Sequence, residues 1–219
     1  MPSNAIWIVL LIVVIVSVFV LALRMEAKRK RDFFAAGLEM GFFPVDPESM
    51  SVQEIPLFGS RRLQVAMAME GSAGGYKATL FETEVPQGKA RVRQTVIAFL
   101  NSGANMPLFK VRRKIWLDRI TSAFNSDAVR FPDSPAFDER VVVHSPDAEQ
   151  ARKFFTPDLQ NYLLTLDGAW TLEGFTETFA VYRAAKRVTY SELRGFVDVT
   201  ASIAQGFLAL VPKTVEKSF

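Results

Sequence analysis

The sequence contains no cysteine and only one histidine among its 219 residues. Without cysteine there is no disulfide framework, no thiolate ligand for a metal and no cysteine nucleophile. A histidine-based metal site would need carboxylates for its other ligands, and no H-E-x-x-H spacing occurs. A Ser-His-Asp triad would have to use His144, and no G-x-S-x-G motif is present. We therefore interpret His144 as a strand-end residue and predict no metal and no cofactor.

A surplus of positive charge is missing from most of the chain, although the formal net charge is +3. Residues 24–31 hold five basic residues and one acidic residue, which leaves 21 basic and 22 acidic residues elsewhere. A nucleic-acid-binding domain normally carries its basic surplus on the folded surface. We therefore expect no nucleic-acid partner.

An uninterrupted apolar segment is present near the N-terminus, at residues 6–23. Fifteen of its 18 residues are Leu, Ile, Val or Phe, and none is charged. As a helix it would be about 27 Å long, close to the roughly 30 Å hydrocarbon core of a bilayer. A cleaved signal peptide fits less well, because residues 1–5 contain no basic side chain and the apolar run is long for that class. The segment is predicted to be an uncleaved transmembrane helix.

The basic residues after this segment predict its orientation. By the positive-inside rule they lie in the cytoplasm, so the short N-terminal tail is outside and the following domain is on the cytoplasmic side of the inner membrane. The alternative is that they bind anionic lipid headgroups, at about 1 kcal/mol for each basic residue. We interpret them first as determinants of topology, with headgroup binding as the alternative. They are Arg24, Lys28, Arg29, Lys30 and Arg31.

The helix is predicted to continue past the membrane as a basic juxtamembrane extension, residues 24–41. Phe33, Phe34, Gly37, Leu38 and Met40 recur there at three- and four-residue spacing, and the glycine at position 41 is a suitable stop. Residues 42–56 contain three prolines and predict a loop. One soluble domain, residues 57–219, would follow.

The periodicity of the soluble domain predicts an α+β fold of mostly antiparallel sheet with packed helices. A capping box from Thr189 to Glu192 starts the last helix, and Gly71–Gly75 is predicted as a hairpin turn because no G-K-[ST] follows it. One compact unit is favoured, with two subdomains as the alternative. The predicted strands are 63–70, 76–85, 91–100, 108–112, 140–144, 169–173 and 175–183. The predicted helices are 114–124, 147–154, one beginning at 156–157, and 189–208.

Two further patterns could support chemistry. Glu82 and Glu84 lie two apart on a predicted strand and therefore point to one face. Paired carboxylates can transfer protons or bind a hard cation, but with no partner cluster nearby we interpret them as a solvated strand face. The basic run 112–114 is interpreted as an exposed junction between a strand and a helix, with an acidic headgroup or partner as the alternative.

Several different short motifs are distributed along the chain. They are Leu57-Phe58-Gly59 before Arg61-Arg62, Gly71 and Gly75 ahead of Leu80-Phe81, Gln94-Thr95-Val96 with Phe99, Met106-Pro107-Leu108-Phe109, Ala151-Arg152 with Phe154-Phe155, Glu173-Gly174, and Val181-Tyr182-Arg183. In these motifs and in its N-terminal anchor the chain resembles a group of bacterial single-pass membrane proteins of uncharacterised function. The resemblance implies a membrane location and an α+β fold, and it implies no activity.

These patterns together favour one class of function. We expect a membrane-anchored, non-enzymatic accessory or interaction protein, whose cytoplasmic domain meets the lipid bilayer and a membrane-protein partner. One alternative is an anionic-lipid-binding module at the membrane surface. The other is a carboxylate-dependent enzyme that uses Glu82 and Glu84.

Overall fold

The computed structural model describes residues 3–50, 64–87, 90–100, 102–114 and 128–211. The helices in these ranges are α1 (Ser3–Glu39), α2 (Pro135–Arg140), α3 (Ala148–Phe154), α4 (Pro157–Thr165) and α5 (Tyr190–Leu210). The strands are β1 (Phe43–Val45), β2 (Gln64–Ala73), β3 (Tyr76–Gln87), β4 (Ala90–Leu100), β5 (Met106–Arg113), β6 (Ala128–Val129), β7 (Val141–His144), β8 (Trp170–Thr176) and β9 (Thr178–Arg183). A 3-10 turn, Pro47–Ser49, follows β1.

The nine described strands form one antiparallel sheet in the order β1-β2-β3-β4-β9-β8-β5-β7-β6. Strands β4 and β9 join the N-terminal meander to the C-terminal strands, with Val96 opposite Tyr182 and Phe99 opposite Phe179. The two groups of strands therefore belong to one sheet. The predicted α+β class with mostly antiparallel sheet is confirmed.

The main hydrophobic core lies between one face of this sheet and the helices. Phe179 and Val181 of β9 face this core, while Ala180 and Tyr182 face the opposite side, as the two-residue period of a strand requires. Phe207 of α5 stacks on Phe179 with ring centroids 4.5 Å apart. Because full burial of a phenylalanine contributes about 1.5–3 kcal/mol, such contacts dominate the attachment of α5 to the sheet.

The first part of α1 is apolar and exposed. Its large apolar side chains from Trp7 to Leu23 are 41–70% exposed. Within the described ranges, α1 is the one helix that is long and apolar enough to cross a membrane. The helix then continues without a break into the predicted extension, so no loop separates the candidate membrane span from the part that contacts the domain.

The last part of α1 packs against the sheet. Phe33 is buried, and Gly37 allows close approach to β2, since a Cβ there would lie 2.6 Å from Met69 Cε. Gly41 has a φ of +81° and follows the end of the helix, which confirms the predicted stop. Leu38 lies in the same helix but is 51% exposed.

Two local predictions needed correction where short elements were involved. The predicted loop 42–56 contains β1, which pairs with β2 so that Phe43 lies opposite Glu70. The strand predicted from Arg140 begins one residue later, because Arg140 ends α2. A three-residue strand and a six-residue helix are too short to display a recognisable period.

The hairpin break predicted at Gly174, between strands 169–173 and 175–183, is also wrong. Strand β8 continues to Thr176, which adopts a φ of +50° next to the turn. Gly174 lies within this strand, and a side chain is not accommodated there, because a Cβ would come 2.5 Å from Cζ of the buried Phe109 ring. This glycine therefore serves packing rather than turn formation.

The predicted helix starts in the C-terminal half are confirmed. Asp147 accepts a hydrogen bond from Gln150 N at 2.9 Å, and α4 begins at Pro157. The capping box of α5 is present, with Thr189 N donating to Glu192 Oε2 at 3.1 Å. The helix predicted at 114–124 lies almost entirely outside the described residues.

Candidate functional site

Glu82 lies at the centre of an ion-pair network between α1 and the sheet. Its side chain is fully buried. Oε2 accepts from Arg187 Nε at 2.8 Å, while Oε1 accepts from Arg29 Nη2 and, at 3.4 Å, from Thr95 Oγ1. The prediction of a solvated strand face is therefore wrong for Glu82. Local sequence could not reveal this, because the two arginines lie 105 and 53 positions away.

A second set of ion pairs extends the network toward the apolar segment. Glu26 accepts from Arg187 Nη2 at 2.8 Å and from Arg93 Nη1, and Glu84 accepts from Arg93 Nε at 2.8 Å. The hydrogen bond from Arg187 lowers the pKa of Glu26. Desolvation opposes this effect, and the charges of Arg187 and Arg93 reinforce it. Three glutamates and three arginines thus balance one another, and we call these six residues the junction network.

The backbone explains how distant residues meet in the junction network. Glu82 and Glu84 are two residues apart on β3, so their side chains lie on the same face of the strand. Glu84 lies directly opposite Arg93 on β4. Glu26 and Arg29 are three residues apart, so they lie on one face of α1. Arg187 comes from the segment between β9 and α5. The network therefore ties α1 to β3, β4 and that segment.

The geometry of the junction network is suited to holding α1 in one position. Both carboxylate oxygens of Glu82 already accept hydrogen bonds from arginine. A buried ion pair adds little net stability, but removing one partner leaves an uncompensated charge, which is costly. Alternative placements of α1 would remove Arg29 from Glu82 and leave one oxygen of this buried carboxylate without its arginine partner. The network therefore selects one arrangement of helix and sheet.

The five basic residues of α1 that were predicted to determine topology or bind headgroups lie in two different environments. Arg29 faces the sheet and donates to Glu82 and, at 2.8 Å, to the carbonyl of Val188. The remaining four, Arg24, Lys28, Lys30 and Arg31, are exposed. The spacing could have revealed the difference, since Arg29 continues the face defined by Phe33 and Ala36, both buried.

A groove of about 700 Å³ lies between α1 and the start of α5. Ala22 and Met25 line it on the side of the apolar segment, and Tyr190 lines it from the first turn of α5. Lys28 and Asp32 contribute charged groups one helical turn apart. The junction network borders the groove through Glu26, Arg29 and Arg187. We call this cavity the juxtamembrane groove; no short motif predicts it, because its walls are distant in sequence.

The side chains of the basic run 112–114 are less exposed than predicted. Its three side chains are partly buried, and Arg113 Nη2 donates to the carbonyls of Leu164 at 3.1 Å and Leu166 at 2.7 Å. Lys114 donates to the carbonyl of Asp138. These side chains are engaged with backbone oxygens of the domain, so the prediction of an exposed junction is wrong.

Two other predictions hold. His144 ends β7, opposite Lys110 of β5 and Ala128 of β6, as a strand-end histidine should. Gly74 and Gly75 have φ values of +60° and +86° between β2 and β3, so the hairpin is present, but its turn is shorter than the predicted 71–75 because β2 continues to Ala73. In the ranges that the structure describes, no group of three or more acidic or histidine side chains is arranged to hold a metal.

A buried polar contact on the opposite face of the sheet has no counterpart in the sequence predictions. Tyr182 donates from its hydroxyl to Glu173 Oε1 at 2.5 Å, and Lys110 Nζ lies 3.2 Å from the same oxygen. Burial raises the pKa of Tyr182 well above its usual value, and the charge of Glu173 adds to the effect. The tyrosine is therefore a hydrogen-bond donor at neutral pH, and this contact links β5, β8 and β9.

The fold and site describe an α+β domain joined directly to an apolar helix that could span a membrane. No protein-family model matches the chain, and no curated protein matches it. The chain is similar to a solved structure, the crystal structure of the mycobacterial trehalose monomycolate transport factor A, TtfA. The identity is 11%, the match covers 85% of this chain and 98% of that chain, and the TM-score is 0.49. Similarity at this level carries no argument about function, and the resemblance to uncharacterised bacterial membrane proteins stays a prediction.

Proposed function

We propose that this chain is a membrane-anchored, non-enzymatic accessory protein that holds its α+β domain in a fixed orientation beside the inner membrane. The observation that supports the proposal is the unbroken helix α1 together with the junction network. Such an attachment suits a protein that presents one surface to a membrane partner.

The distance between the domain and the membrane follows from the geometry of α1. Glu26 is three residues beyond Leu23, which corresponds to about 4.5 Å along a helix. If residues 6–23 span the bilayer, the junction network begins within the headgroup layer, whose thickness is roughly 5–8 Å on each side. The sheet then stands next to the membrane surface.

The exposed cations support a cytoplasmic location for the domain. Four of the five basic residues that follow the apolar segment, Arg24, Lys28, Lys30 and Arg31, face away from the protein interior. Such residues resist translocation across the membrane. The N-terminal tail would then lie outside, and the domain would face the cytoplasm.

Crosslinking in native membranes followed by affinity purification tests this proposal. We expect one specific membrane protein to be recovered with the full chain. Recovery should be equal for Arg31→Gln, which changes an exposed charge, and several-fold weaker for Glu82→Gln, which breaks the junction network. Recovery of no specific protein would contradict an accessory role. Equal recovery with Glu82→Gln would contradict the need for a fixed orientation.

A second candidate function is the recognition of anionic lipid by the same four exposed cations. At about 1 kcal/mol for each residue, they would attract anionic headgroups in a salt-sensitive manner. Full chain in nanodiscs of mixed lipid should then enrich anionic lipid around α1. Replacing the four residues by glutamine should abolish the enrichment, and Arg29→Gln should not, because Arg29 is engaged with Glu82. If neutral and anionic lipids were equally enriched around α1, this candidate function would be eliminated.

A further inference from the structure

We infer that the juxtamembrane groove binds the headgroup of one zwitterionic phospholipid of the adjoining leaflet, of the phosphoethanolamine type. This inference rests on the proposed function, because α1 must span the membrane for the groove to open at its surface. The lipid phosphate would contact Lys28, and its ammonium group would contact Asp32. Size, position and charge each support this assignment.

The volume of the groove favours a small amphiphile over a protein. At about 700 Å³ it falls within the range of roughly 300–1,000 Å³ that is usual for small-ligand sites. A stable protein partner would need a contact surface of about 800 Å² on each side, spread over some 20–30 residues. Twelve residues line the groove, fewer than such a partner would contact.

The order of the lining residues along α1 matches the order of groups in a phospholipid. Ala22 and Met25 come first, at the level of the apolar segment. Lys28 follows about 7.5 Å beyond Leu23, and Asp32 lies about 6 Å further on. Helical side chains lean toward the helix N-terminus, so Lys28 is directed back toward the membrane. Acyl chain, phosphate and ammonium follow one another in the same direction.

The charges along the groove are the third argument. Glu26, Arg29 and Arg187 are already paired within the junction network. Lys28 and Asp32 form no ion pair or hydrogen bond with another residue in the described ranges, so one positive and one negative group remain for a ligand. A headgroup with a phosphate and an ammonium satisfies both. A purely anionic headgroup would leave Asp32 facing negative charge.

Native mass spectrometry of the full chain, released from detergent micelles, tests the inference directly. The probes are a phosphoethanolamine lipid, a phosphoglycerol lipid with the same acyl chains, and the matching diacylglycerol. We expect the phosphoethanolamine lipid to bind most tightly. Lys28→Gln and Asp32→Asn should each weaken its binding about ten-fold, the usual loss for a charge-assisted hydrogen bond.

Three further variants make the experiment specific. Arg194→Gln and Asp198→Asn remove exposed charges that do not line the groove, and both should bind within two-fold of the unaltered chain. Ser191→Trp places a large side chain at the groove and should prevent binding. Phosphoglycerol binding as tight as that of phosphoethanolamine, or an Asp32→Asn variant without effect, would overturn the inference. Either result would leave partner recovery with the full chain unchanged, so the inference can fail while the proposed function stands.

Discussion

Replacing Glu82 by glutamine tests whether the junction network fixes α1 on the sheet. The substitution keeps the size of the side chain and removes its charge. Arg29 and Arg187 would then face an amide whose nitrogen cannot accept their hydrogen bonds. Among the described residues, Glu26 would then be the one acidic partner left for these two arginines.

The expected loss can be estimated from the burial of the partners. Removing one member of a buried ion pair costs about 3–5 kcal/mol when the remaining charge stays buried. The side chains of Arg29 and Arg187 are 21% and 25% exposed, so water can partly hydrate them. We therefore expect a loss of about 3 kcal/mol in the free energy of unfolding, at the lower end of that range.

Urea unfolding of the full chain in micelles, followed by tryptophan fluorescence, measures this loss, since Trp170 is buried in the core of the domain. Glu84→Gln is the matched control. Glu84 is 27% exposed and occupies the same strand face, so its loss should be no more than about 1 kcal/mol. A third variant replaces Arg29 and Arg187 by methionine and Glu82 by leucine. It should recover most of the stability, because apolar residues of similar size can replace a buried ion network.

One specific result would contradict a role of the junction network in positioning α1. If Glu82→Gln destabilised the chain no more than Glu84→Gln, the burial of Glu82 would have no energetic consequence. The junction network would then not select the position of α1.

Other variants test α5 and the acid sensitivity of the junction by the same measurement. Gly195→Ala should raise the free energy of unfolding by up to about 1 kcal/mol, because its Cβ would meet nothing within 4 Å. Gly206→Ala should lower it by about 1–3 kcal/mol, because that Cβ would lie 2.5 Å from Tyr162 Oη; opposite signs would contradict the packing. Thr189→Ala should cost about 1 kcal/mol by removing the cap. The lowered pKa of Glu26 adds stability above pH 4.5 that is lost as pH falls through its folded value, so Glu26→Gln should reduce the acid sensitivity.

Periodic elements could be predicted from the sequence because their signals are local. The apolar segment 6–23, its continuation to position 41 and the capping box at Thr189 depend on residues within one or two turns of each other. The strands β2 to β5 likewise follow from two-residue alternation. Short elements such as β1 and α2 were missed, because three to six residues do not establish a period.

The candidate site was only partly predictable. The side-chain pair Glu82 and Glu84 was identified as facing one way, but its surroundings were assigned to solvent. The face of α1 on which Arg29 lies could have been recognised from its spacing to Phe33. Its partner could not, because Glu82 is 53 residues away and pairing across such a distance leaves no local pattern.

The sequence by itself determined the elements that short-range periodicity encodes: a long apolar helix, its basic extension and a series of alternating strands. Tertiary structure alone decided which charges became internal. The β4–β9 pairing closed the sheet, and packing of α1 then brought Arg29 and Arg187 to one buried carboxylate. It also left Lys28 and Asp32 along a groove. The physical reason is that the cost of a buried charge depends on its three-dimensional neighbours, and these neighbours come from distant parts of the chain.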